Sequence, residues 1–207
     1  MELSKKNEFM TRLISTMVLI PIILCSVKLG GIYFKTMIMV CSILMSYEWA
    51  QMTASEKTIN WKIIGLFYIS LPCLSLIFLI DQKNGISTIF SIFIIVWATD
   101  IGGYIFGKLI GGWKLAPEIS PNKTWAGFFG GIFLAVLAGL YCKEMFYFVI
   151  IVSIIAQLGD LLESYIKRKH ALKDSGNIIP GHGGVLDAVD GIVLVAPLIA
   201  LSKYITG

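Results

Sequence analysis

Charge is scarce in this sequence. Only 14% of its 207 residues are Asp, Glu, Lys or Arg, against about a quarter in a soluble domain. That shortage excludes an ordinary water-soluble domain. Histidine occurs twice. The four cysteines, Cys25, Cys41, Cys73 and Cys142, stand singly in apolar stretches with no C-x2-C pair. Such isolation argues against a zinc or dithiol motif and for core packing. Internal repeats and low-complexity linkers are also missing, so residues 1–207 read as one domain. The net charge of +4 is too modest to indicate a nucleic-acid partner.

Apolar sequence fills the space that charge leaves. Hydrophobic residues make up 57% of the chain and the mean hydropathy is +0.81. Apolar runs cover 11–29, 31–47, 62–80, 86–107, 127–142, 145–166 and 189–205. About 20 such residues cross a bilayer core as a helix. Open strand edges cannot be satisfied in lipid. The expectation is therefore an all-α, polytopic integral membrane protein with about seven transmembrane helices. Pro21, Pro72 and Pro197 fall inside spans and predict kinks. No small-x-small cleavage site follows the first run, so that run reads as a retained helix.

Alternate loops differ in basic residues. With the N-terminus inside, 12 of the 17 Lys and Arg residues are cytoplasmic and five lie opposite. This bias predicts a cytoplasmic N-terminus. It also places the two long polar loops, 108–126 and 167–188, on one face, where they can build one site. Gly103, Gly107 and Gly111, and separately Gly127 and Gly131, recur every four residues. That spacing predicts close helix packing.

The remaining polar residues are concentrated. Asp160 lies seven residues before Lys167, about 10 Å along a helix. Glu163 shares its face, and Asp187 and Asp190 repeat the spacing where the last helix begins. Asp100 lies near the inner end of the fourth span. Carboxylates at such depths must be paired, neutralised or bound to a cation. Mg²⁺ suits them, because it uses few protein carboxylates and completes its shell with water and phosphate. Ion pairs with Lys167, Arg168 or Lys173 are the alternative. Those bases and Lys169 are also ordinary membrane anchors. The same loop continues into Gly181-His182-Gly183-Gly184, where successive glycines let backbone N–H groups converge on an anion. His182 reads either as a phosphate contact or as a loop support. Ser120-Pro121-Asn122-Lys123-Thr124 offers hydroxyls, an amide and an ammonium just before the fifth helix, a place for a cap or an anion. Gly102-x4-Gly107-Lys108 imitates a P-loop, but Leu109 stands where Ser or Thr is needed.

The stretch from Ser164 to Asp190 resembles the signature of phosphatidate cytidylyltransferases, also called CDP-diacylglycerol synthases. So do Gln157 to Ser164, Thr99-Asp100-x-Gly102-x-Tyr104 and Ser-Pro-Asn-Lys-Thr-Trp. The resemblance covers about 97–191, and residues 1–95 carry no signature. Ala188 and Ala126 stand where the family usually has Arg and Glu.

The resemblance implies transfer of CMP from CTP to phosphatidate in a membrane, with release of pyrophosphate. The bacterial inner membrane is the expected location and the cytoplasmic side the expected site of chemistry. It implies Mg²⁺, held as one or two cations by Asp160 and Asp187, with Asp190, Glu163 and Asp100 in support. Lys167 and Lys173 join the two aspartates as catalytic groups. Ser120, Lys123, Thr124, Ser164, Arg168, His182, Gly183 and Gly184 bind substrate. A homodimer is also implied. A CTP-dependent polyprenol kinase, a cytidylyltransferase for another lipid phosphate and, more distantly, an ion-coupled transporter are the competing readings.

Overall fold

A computed structural model describes residues 2–55, 59–181 and 183–206. Lys57, one of the expected cytoplasmic charges, lies outside the described residues. The described chain folds into seven helices, α1 Glu2–Leu29, α2 Gly31–Met52, α3 Ile59–Ile80, α4 Gly85–Leu109, α5 Trp125–Tyr141, α6 Phe146–Lys169 and α7 Val185–Thr206. Four of them, α3, α4, α6 and α7, are long and apolar enough to cross a membrane. Ile14–Leu29 and α5 are shorter apolar segments. This is an all-α integral membrane protein. Pro21, Pro72 and Pro197 all lie inside helices, as the runs predict.

The glycine spacing finds its partner across α4 and α5. A Cβ on Gly127 would lie 2.7 Å from the Gly103 carbonyl oxygen, and one on Gly131 would lie 2.9 Å from that of Thr99. The two backbones touch because no side chain separates them. Gly111 does not join this seam, contrary to expectation. It lies beyond the end of α4 with φ +66, and a Cβ there would meet nothing. The cysteines are all free, but only Cys73 is buried, and Cys25 is exposed. Core packing therefore describes one of the four fully.

The loop after α4 holds a small antiparallel hairpin, β1 Lys114–Ala116 and β2 Ser120–Thr124. Pro117 starts its turn, in which the Ile119 N–H donates to the Ala116 carbonyl at 3.2 Å. Proline is favoured at that position because its φ is already set. The all-helix expectation for the spans is unaffected, since the hairpin lies between them. Its end leads straight into α5. The Thr124 hydroxyl accepts the Gly127 N–H at 3.1 Å and caps the helix.

Both polar loops meet at one end of the bundle. Arg168, at the end of α6, donates from Nε to the Ile119 carbonyl at 3.2 Å and from Nη1 to the Leu172 carbonyl at 2.9 Å. Ser15 of α1 donates to the Pro180 carbonyl at 2.6 Å, so the first helix reaches the same end.

Candidate active site

A cavity of about 720 Å³ opens beneath the hairpin. Its walls come from α4, β1, β2, α5, α6 and α7. Asp100, Asp160, Asp187 and Asp190 all line it, together with Ser120, Lys123 and Thr124. Four carboxylates and two lysines, Lys123 and Lys108, from distant parts of the sequence thus line one space. Asp160 is paired with Lys123 at 2.5 Å, and both side chains keep about a quarter of their surface open, at 29% and 24%. Ser164 contributes a long hydroxyl contact to Asp160 at 3.4 Å. The Asp190 Oδ1 accepts the neighbouring Gly191 N–H at 2.6 Å.

Glu163 and Lys167 lie behind this wall. Lys167 reaches Glu163 at 3.1 Å and also pairs with Asp187. The three side chains are nearly sealed, at 10% exposed for Lys167, 2% for Glu163 and 10% for Asp187. The ion-pair alternative for Lys167 is therefore realised here. The pair ties α6 to α7 and sets Asp160 beside Asp190, each one helical turn from a member of the buried triad. Among the described residues, no three His, Cys, Asp or Glu side chains form a group that could hold a metal ion.

The glycine-rich turn departs from its expected use. One of its N–H groups, that of Gly184, meets an anionic oxygen, but that oxygen belongs to the protein and its other donors come from Ser175. Asp187 Oδ2 accepts the Gly184 N–H, the Ser175 N–H and the Ser175 hydroxyl, each at 2.8 Å. This is the back-reach of a helix's third residue to its N-cap. Gly183 gives its N–H to the Ile179 carbonyl at 3.1 Å. Neither glycine N–H faces the cavity unpaired. Arg168 departs similarly, since its guanidinium ties the hairpin turn to the loop after α6 and is not part of the cavity wall. Lys173 is exposed and is not part of the cavity wall. His182 lies outside the described residues. Ala188 is exposed, and Ala126 sits beside the α5 cap.

The sequence pattern assigns no site role to four more lining residues, although Tyr104, Asn122 and Gln157 fall in the family-like stretches and only Lys108 lies outside them. Lys108, Tyr104, Asn122 and Gln157 all face the cavity. The Lys108 ammonium lies 3.3 Å from the Tyr104 hydroxyl. By sequence, Lys108 reads only as a topology charge. Its placement one residue after Gly107, on the tight α4–α5 seam, is the one available signal.

A model described as the cytidylyltransferase family matches residues 10–66 and 54–205. This chain belongs to the cytidylyltransferase family. It is 34% identical to the phosphatidate cytidylyltransferase of Brucella suis biovar 1 (strain 1330), over 94% of this chain and 93% of the relative. With the protein of the same name from Rickettsia bellii (strain RML369-C) it shares 41% identity, over 94% and 90%. The Rickettsia typhi (strain ATCC VR-144 / Wilmington) protein, also so named, is 39% identical over 93% and 91%. The family match thus runs through both the acid-bearing helices and the first half of the chain, where no signature was expected.

Proposed function

We propose that this protein transfers CMP from CTP to phosphatidate, giving CDP-diacylglycerol and pyrophosphate. The observation that carries the reading is the cavity in which Asp100, Asp160 and Asp190 face Lys123, Lys108 and Ser120, in a chain that matches its phosphatidate cytidylyltransferase relatives over nearly their full length. A phosphate oxygen of the lipid attacks the α-phosphorus of CTP. A new P–O bond forms, the bond between the α- and β-phosphates breaks, and pyrophosphate leaves with the electron pair. The lipid phosphate is a monoester and carries at least one negative charge at neutral pH. Attack needs no side chain to remove a proton. The difficulty is bringing two polyanions together, which is an electrostatic and positioning task.

The residues of this chain divide that task. Lys123 and Lys108 supply positive charge at the cavity wall, and Ser120 and Asn122 supply neutral donors. Lys123 is free to exchange Asp160 for a phosphate when nucleotide enters. Asp160, Asp190 and Asp100 present carboxylate oxygens to the same space. This hard donor set fits Mg²⁺ that arrives with the triphosphate, because such a cation uses one or two protein carboxylates. It does not require a preformed cage of three. When bound, Mg²⁺ would neutralise phosphate oxygens and stabilise the leaving pyrophosphate. The Lys167 triad keeps Asp160 and Asp190 side by side throughout.

We infer further that the cavity faces the cytoplasm of a bacterial inner membrane. The excess of Lys and Arg in the loops at this end supports that side, and the bacterial relatives support that membrane. CTP then arrives from water and the lipid from the bilayer.

Purified protein in mixed micelles with CTP, phosphatidate and Mg²⁺ tests the reading. Pyrophosphate should appear only when phosphatidate is present, and Asp160→Asn should lower the rate at least about 100-fold while the protein stays folded. Release of CDP in place of pyrophosphate, with a phosphorylated lipid, would identify a kinase and reject the proposal.

A further inference from the structure

Glu48, near the end of α2, is 1% exposed. Its Oε1 accepts the Val185 N–H at 2.8 Å and its Oε2 accepts the Leu186 N–H at 3.0 Å, from 137 and 138 residues away. These are the first two N–H groups of α7, which have no acceptor within the helix. The carboxylate also faces the positive end of the helix dipole. A buried charge is tolerated only when it is fully hydrogen-bonded or paired, and here both oxygens are bound to one helix start. The fit is close on every side. A Cβ on Gly176 would lie 2.9 Å from Oε1, and one on Gly184 would lie 2.6 Å from both oxygens. Next to Glu48, Trp49 donates from Nε1 to the Trp61 carbonyl at 2.9 Å and tethers α2 to α3.

This grip bears on the cavity through the first turn of α7. Asp187 comes directly after Leu186 and Asp190 one turn later, both on the cavity wall. Rotation or axial slip of that turn would move both carboxylates relative to Asp160. Asp187 is fixed from the α6 side by Lys167. Glu48 supplies the corresponding restraint from α2. Helix α2 thereby enters the site without lining it.

We propose that Glu48 is a positioning residue: its two-oxygen grip on the Val185 and Leu186 N–H groups sets the start of α7 and hence the placement of Asp187 and Asp190. For its kinetic readout the proposal rests on the CMP-transfer reading above. A mere helix cap would change stability and the local exchange of its own helix start, and leave the Mg²⁺ dependence unchanged. A positioning residue changes the behaviour of the folded enzyme.

The full-length protein and Glu48→Gln are compared by hydrogen exchange over residues 183–188 and by steady-state kinetics. Glu48→Gln keeps the shape and one acceptor but loses the charge and the second acceptor. Exchange over 183–188 should quicken at least tenfold while other helices stay protected. The Mg²⁺ concentration for half-maximal rate should rise several-fold, with KM for phosphatidate within twofold of wild type. Glu48→Asp, one methylene shorter, should not restore either property. Gly176→Ala serves as the second variant if Glu48→Gln does not fold. Its added methyl presses on Oε1, so it should reproduce both changes more weakly, and it should add nothing in a Glu48→Ala background. Wild-type Mg²⁺ dependence in folded Glu48→Gln overturns the proposal whatever the exchange over 183–188 shows, as does full additivity of Gly176→Ala with Glu48→Ala. If the wild-type protein releases no pyrophosphate, the CMP-transfer reading fails, and the exchange measurement still decides whether Glu48 holds the start of α7.

Discussion

Replacing Lys167 by methionine isolates the ion triad behind the cavity. Methionine keeps the helix propensity and much of the stem but removes the ammonium. That ammonium stands 3.1 Å from Glu163 and is paired with Asp187, and none of the three side chains is more than 10% exposed. At that distance and an effective dielectric of about 20, one attraction is about 5 kcal/mol. Desolvation of the ions offsets most of it in the intact protein, so the pair adds little net stability. Removing one partner is different, because the buried charge left behind keeps its desolvation cost, and the loss is about 3–5 kcal/mol.

The two carboxylates do not share this loss equally. Asp187 retains three donors at 2.8 Å. Apart from Lys167, Glu163 has no hydrogen-bond partner for either oxygen among the described residues, so the penalty falls mainly on it. Lys167→Met should therefore destabilise the protein by about 3–5 kcal/mol, roughly a hundred- to several-thousand-fold in the folding equilibrium. Adding Glu163→Gln should recover at least about 1 kcal/mol, because the unpaired charge has gone. Unfolding of the purified protein in mixed micelles, titrated with SDS and followed by far-UV circular dichroism, measures both. A loss under about 0.5 kcal/mol for Lys167→Met, or strict additivity in the double variant, would refute the account of the triad.

Two further substitutions probe the frame around the cavity. Thr124→Ala removes the α5 cap and should cost about 1 kcal/mol by the same unfolding assay, whereas Thr124→Ser should retain most of it. Gly127→Ala should cost about 1–3 kcal/mol, because its Cβ would meet the Gly103 carbonyl oxygen at 2.7 Å and backbone cannot step aside. Gly103→Ala, with its nearest neighbour 3.7 Å away, should be neutral or stabilising by up to about 1 kcal/mol.

Hydropathy locates every helix but misplaces the ends where chemistry occurs. The apolar run at 189–205 misses the first turn of α7, which begins at Val185. The run at 31–47 stops one residue before Glu48, while α2 continues to Met52. In both cases a carboxylate ends the apolar run and the helix continues, because the charge finds its partner in another element. Such partners lie 20 to 138 residues away in sequence, so no local pattern shows them. The acids themselves are legible, since a carboxylate in a chain with so little charge demands an explanation. Their division of labour is not. The hairpin is hidden for a different reason: three- and five-residue strands are too short for alternation to register.

That division comes from what each carboxylate already holds. Glu48 has both oxygens bound to backbone, and Asp187 has an ammonium and three further donors. Bringing a cation to either would break bonds that fix the start of α7. Asp160 differs: among the described residues its one close partner is Lys123, itself on the cavity wall, and 29% of its side chain is open. Asp100 and Asp190 face the same space, and among the described residues neither forms an ion pair. The sequence pairs Asp160 with Glu163 and Asp187 with Asp190 by spacing alone. The fold splits each pair, sending one member into the brace and leaving the other open to the cavity. An acid saturated by its own protein holds the site together, and one with oxygen to spare is available to what enters it.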